Sequence, residues 1–140
     1  MSAKSYRELI VWQKAMELVV EVYNLTKLLP KEELYALTNQ IRRAVVSIPS
    51  NIAEGNARHT STEYVRFLAI ARGSKSEVDT QLEICVRLNY ITPEQVQTAM
   101  GLCSEVGRML NSMIQKLLPN PYSLLPTPYS LLPNPKRRNP

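Results

Sequence analysis

Residues 42–54 read RRAVVSIPSNIAE, and the way this stretch sits on a helix decides the fold. Followed upstream and down, Leu34, Leu37, Ile41, Val45, Ile48 and Ile52 recur at steps of three and four and make one apolar face. Gln40, Arg43, Ser47, Asn51 and Glu54 recur at the same steps on a neighbouring, polar face. Pro49 sits mid-stretch, where its missing N–H predicts a bend. A plain surface helix needs only the first stripe, so the second predicts a helix that meets more than one neighbour.

The rest of the chain supplies the neighbours. It has 140 residues, enough for one domain, with 44% hydrophobic and only 6% aromatic side chains, so the core is expected to be aliphatic. Four glycines among abundant Ala, Leu, Glu, Gln, Arg and Lys favour an all-α class. A first helix is predicted over residues 6–28, with Leu9, Trp12, Met16, Val19, Tyr23 and Thr26 as its buried side. Ile10, Val11, Leu18, Val20 and Val22 widen its apolar stripe beyond what one packing contact uses, which predicts contact with a second subunit. Pro30 ends it and opens the second helix, which runs to Glu54, with Gly55 and Asn56 as the stop. The third helix opens on a capping-box spacing, Thr60 to Glu63, and runs to Leu88. Ala69, Ala71, Gly73, Ser74 and Ser76 in its middle predict a close approach by another helix, and Glu77, Thr80 and Gln81 are placed to answer the polar stripe of the second. Thr92, Pro93 and Gln95 mark the start of the fourth helix, which runs to Leu117. Four amphipathic helices with short links predict an up-down-up-down bundle over residues 1–117. Residues 118–140 differ: LPNPYSL, LPTPYSL, LPNP is a seven-residue repeat with two prolines in each seven, which predicts an extended, polyproline-like or disordered tail with a basic end.

The net charge of +5 is uneven, with the excess in residues 36–75 and in Lys136, Arg137 and Arg138 of the tail. Such asymmetry suits an anionic partner such as RNA or DNA, and a solvated basic face is the alternative. Arg42 is the candidate for an exposed phosphate contact, extended by Arg58, Arg66, Arg72 and Lys75. Arg43, lying on the polar stripe, is expected to pair with Glu54 or Glu77. No phosphate loop, metal-ligand cluster or nucleophile with a base is found, so no enzyme, metal or cofactor is expected. Cys85 and Cys103 read as small buried hydrophobes rather than a disulfide. No apolar run is long enough to span a bilayer and no secretory leader is seen at the start, so a cytoplasmic location without membrane contact is expected.

Three stretches carry a resemblance: YRELIVWQKAMELV, LTNQIRRAVVSIPSNIAEG and EYVRFLAIARGSKSEVDTQLE, within which IPSNIAEG is the most specific. They resemble the four-helix-bundle family first noticed in intervening sequences of bacterial 23S ribosomal RNA genes. That family includes the accessory variability determinant of diversity-generating retroelements. The resemblance implies a ring-like homopentamer, and in retroelement members a basic ring surface that meets nucleic acid and a reverse transcriptase. Two functions therefore stand open: a homo-oligomeric scaffold that binds nucleic acid, and a protein-binding or self-assembly module that does not.

Overall fold

A computed structural model describes residues 5–118; the repeat tail expected over residues 118–140 lies, but for Leu118, outside the described residues. Four helices dominate: α1 (Ile10–Thr26), α2 (Leu37–Asn56), α3 (Ser61–Arg87) and α4 (Gln97–Leu117). Each packs on the next and α1 also packs on α4, which closes an up-down-up-down four-helix bundle. The core is aliphatic: Leu18, Ile41, Ile48, Ile52, Leu68, Leu82 and Leu110 are fully buried.

The helix starts show local chemistry overriding the simplest reading. Ser5 accepts from the Arg7 amide at 3.1 Å and caps a single 3-10 turn, Tyr6–Glu8. Leu9 is extended, so α1 starts at Ile10 rather than at residue 6. Pro30 likewise opens only a 3-10 turn, Lys31–Glu33. The chain then turns through Leu34, Tyr35 and Ala36, and α2 starts at Leu37, where Glu33 Oε1 accepts from the Leu37 amide at 3.3 Å. The same carboxylate accepts from the Tyr90 hydroxyl at 2.8 Å, pinning the α1–α2 link to the α3–α4 link. Thr60 caps α3 as its spacing predicts, accepting from the Glu63 amide at 3.2 Å. The Thr92–Gln95 box also forms, each side chain accepting from the other's amide at 3.1 and 2.9 Å. It shapes a turn, however, and α4 itself begins at Gln97.

Three packing expectations are corrected. The buried line of α1 is Val11, Ala15, Leu18, Val22, Leu25 and Thr26, not the line through Trp12 and Met16. Trp12 and Val19 only flank the core, while Met16 and Tyr23 are 39% and 36% exposed. Both lines obey helical spacing, and α1 is apolar on so many positions that spacing alone does not choose between them. The close approach to α3 is marked by Gly55 rather than Gly73. A Cβ on Gly55 would lie 2.9 Å from Phe67 Cβ and from Tyr64 Cδ1, whereas one on Gly73 would meet nothing within 4 Å. Leu34, placed on the α2 core face by its spacing, lies before the helix and is exposed.

Candidate interaction surfaces

α2 lies between two open grooves of opposite character. Its core stripe of Ile41, Val45, Ile48 and Ile52 is fully buried, as the spacing predicts. The helix continues through Pro49. Around the proline, Ser50 Oγ donates to Val46 O at 2.9 Å and Asn51 Nδ2 donates to Ser47 O at 2.8 Å, so side chains bond carbonyls in the turn where the ladder lacks a donor.

Towards α3 the groove is polar, about 430 Å³, and lined by Asn39, Gln40, Arg43, Ser47, Ser74 and Glu77 together with Ala44. The expected network across it is only partly built. Ser47 and Ser74 share a hydrogen bond of 2.9 Å across the helix pair, and Asn51 Nδ2 also donates to Ser47 Oγ at 2.9 Å. Glu54 turns back to Arg58 at 2.8 Å, four residues along its own chain. Gln40, Arg43 and Glu77 are exposed at the groove and form no ion pair with each other. The pairing expected of Arg43 with Glu54 or Glu77 is therefore absent: the Glu54 carboxylate is taken by its nearer neighbour, and Arg43 is exposed, where an ion pair gains little. Gln81 follows Glu77 by one helical turn, but it is buried and its Oε1 has no hydrogen-bond donor among the described residues.

The five basic candidates do not share one face. Arg42 turns towards α1, where its Nε donates to Thr26 Oγ1 at 2.8 Å and its guanidinium lies 4.6 Å from the Tyr23 ring centre. Arg58 and Arg66 both approach the Phe67 ring, at 4.6 and 5.7 Å, beside the α2–α3 turn. Arg72 reaches α4, donating to Asn111 Oδ1 at 3.0 Å. Lys75 is laid over Gly107 of α4 and pairs with Asp79 at 3.1 Å, which withdraws it from solvent. The roles of Arg42 and Arg43 are thus reversed from the sequence reading: Arg42 is engaged within the fold and Arg43 is open. Side by side they still border one hollow, about 570 Å³, lined by Tyr23, Asn39, Arg42, Arg43, Val46 and Ser47, with no acidic residue in its wall.

Towards α1 the groove is apolar, about 390 Å³, with Trp12, Met16, Val19, Val46, Pro49 and Ala53 in its walls. Tyr6 closes one end, its ring tilted at 60° to that of Trp12 with centres 5.3 Å apart. Met16, Val20, Tyr23 and Val46 remain exposed along this side. The surplus apolar width of α1 in the sequence signalled such a face; the contribution of Pro49 and Ala53 from α2 had no signal of its own.

Both cysteines are free and buried. Burial pushes the Cys85 thiol up to about 11, helped by the Glu33 charge. Burial pushes Cys103 up to about 12, with the Asp79 carboxylate adding to the rise and Lys75 opposing it. Neither thiol has the depressed pKa of a reactive nucleophile. Among the described residues no group of three His, Cys, Asp or Glu side chains is placed to hold a metal ion, and no described helix is long and apolar enough to cross a membrane.

The family model of the 23S rRNA-intervening sequence protein matches residues 7–112. A crystal structure of a protein of unknown function from the S23 ribosomal protein family of Bacteroides thetaiotaomicron is similar, at 30% sequence identity and a TM-score of 0.71. The match covers 76% of this chain and 99% of that one. No curated protein matches.

Proposed function

This chain belongs to the 23S rRNA-intervening sequence protein family, and from that footing we propose that it is a non-enzymatic helical scaffold that works as a homo-oligomer. The observation that carries the reading is the apolar groove between α1 and α2, with Met16, Val20, Tyr23 and Val46 exposed along it. Water against such a surface is costly, at about 25 cal/mol for each Å² left unburied, and an interface removes that cost. Five copies is the number the family resemblance implies. Sedimentation of the full chain at micromolar concentration tests the reading: assembly is expected, and a stable single subunit overturns it.

A second reading adds nucleic acid as a ligand of the scaffold, and with it an accessory role beside a reverse transcriptase. The hollow bordered by Arg42 and Arg43 favours it, since two adjacent arginines in a wall that holds no acidic residue suit a phosphate backbone. Binding of labelled RNA and DNA at low salt is expected, with affinity falling steeply as salt rises. Arg43→Glu should flatten that slope by about one unit, the share of one phosphate contact. No binding at low salt removes this reading and leaves the scaffold intact.

A further inference from the structure

The two polar depressions beside Arg43 share a wall. Asn39, Arg43 and Ser47 line both the α2–α3 groove, about 430 Å³, and the arginine hollow, about 570 Å³. Beyond that wall their chemistry divides. The hollow adds Arg42 and holds no acidic residue. The groove adds Gln40, Ser74 and the Glu77 carboxylate. Ser47 and Ser74, bonded to each other at 2.9 Å, tie its two helix walls together. Asn39, Gln40, Arg43 and Glu77 are exposed, and none uses its side chain in a hydrogen bond or ion pair among the described residues. Four polar side chains around one groove are thus open to a ligand.

We infer that the two depressions together take one nucleotide of an unpaired strand, its phosphate in the Arg42–Arg43 hollow and a guanine base in the α2–α3 groove. The inference rests on the nucleic-acid reading above. A nucleotide has the same division of chemistry, an anion at one end and an edge of donors and acceptors at the other. The choice of base follows from Glu77. An ionised carboxylate only accepts, and two neighbouring donors serve its two oxygens best. Guanine alone among the bases presents two adjacent N–H donors, N1–H and N2–H, on its pairing edge. Adenine and cytosine set one amino group beside a lone-pair nitrogen, which repels a carboxylate. Uracil and thymine hold a single N–H between two carbonyls. The side-chain amide of Asn39 or Gln40 supplies the donor that guanine O6 needs. In a duplex this edge is already bonded to cytosine, so only an unpaired guanine offers it.

The test uses the full chain at low salt. The probes are labelled single strands, made as RNA and as DNA, that differ only at one central base. The strand with guanine there is expected to bind about tenfold tighter than those with adenine or cytosine, the share of one bidentate base contact. Inosine lacks the N2 amino group and is expected to lose most of that preference. A duplex of the guanine strand is expected to show none. Glu77→Gln, a change at an exposed position, is expected to bring the single strands to equal affinity while keeping the wild-type salt slope. Equal binding of all strands by the wild type overturns the inference and leaves the nucleic-acid reading in place. So does inosine bound as tightly as guanine, a preference kept in the duplex, or a preference that survives Glu77→Gln. No binding of any strand overturns both.

Discussion

Arg42 and Thr26 are joined by a 2.8 Å hydrogen bond from guanidinium Nε to hydroxyl, and this bond ties α2 to the last turn of α1. Thr26 is 4% exposed, and its hydroxyl in turn donates a hydrogen bond to Tyr23 O at 2.9 Å. The guanidinium also covers the Tyr23 ring. Arg42→Ala is expected to cost about 1–2 kcal/mol in urea unfolding, from a lost charged hydrogen bond and a lost ring contact. Arg42→Lys is expected to recover less than half of that, since an ammonium lacks the planar face that stacks. Equal stability of wild type and both variants would contradict the geometry.

Gly55 and Gly73 make an opposed pair. Alanine at 55 places a methyl 2.9 Å from Phe67 Cβ and Tyr64 Cδ1, one of them rigidly attached to the backbone of α3. Gly55→Ala is expected to destabilise by about 1–3 kcal/mol through overpacking. Alanine at 73 meets open space, and Gly73→Ala is expected to stabilise by about 0.5–1 kcal/mol through helix propensity. Chemical denaturation of the two variants checks both signs.

Asn51 bonds within its own helix, to Ser47 O and Ser47 Oγ. Asn51→Leu therefore removes a donor from Ser47 without stranding a group on α3, and a loss of about 1 kcal/mol in thermal unfolding is expected. A loss above about 3 kcal/mol would mean that Asn51 reaches a partner beyond Ser47.

The two thiols give a pH test. Their folded pKa values, about 11 for Cys85 and about 12 for Cys103, stand above the ordinary thiol value of 9.0. The folded state thus holds these protons more tightly than the unfolded state. Their contribution to stability is complete below about pH 9, and it is lost as pH rises towards 11–12. Each thiol adds a slope of up to about 1.4 kcal/mol per pH unit in that window. Urea midpoints measured from pH 8 to 10.5 should fall, and Cys103→Ala should make the decline shallower. A flat profile would refute the burial of the thiols.

Much of the bundle is legible in the residues. The four helices, the Thr60 cap, the reciprocal Thr92–Gln95 bonds and the α2 core stripe follow from spacing and capping chemistry that act within a few residues. What escaped depends on partners far along the chain. α1 offers two apolar lines, and only packing against α2 and α4 selects the one through Val11 and Leu18. Arg42 and Arg43 are the same residue type 100° apart on a helix, and only Thr26 and Tyr23 distinguish them. Lys75 reads as part of a basic surface until Asp79 and Gly107 are seen to hold it down. The Glu33 link to Tyr90 spans 57 positions and has no local signature.

The placement of α2 between two grooves has a consequence for how the protein tolerates change. Residue after residue along this helix is committed: eight are buried, others wall a groove, and Arg42, Asn51, Glu54 and Asn56 hold hydrogen bonds. α4 carries slack instead, at Gln97, Thr98, Gly101 and Gln115, which face solvent. Divergence between lineages is expected to accumulate on α4 and to leave α2 nearly frozen, so a saturation library scored for folded protein would show α2 as its darkest band.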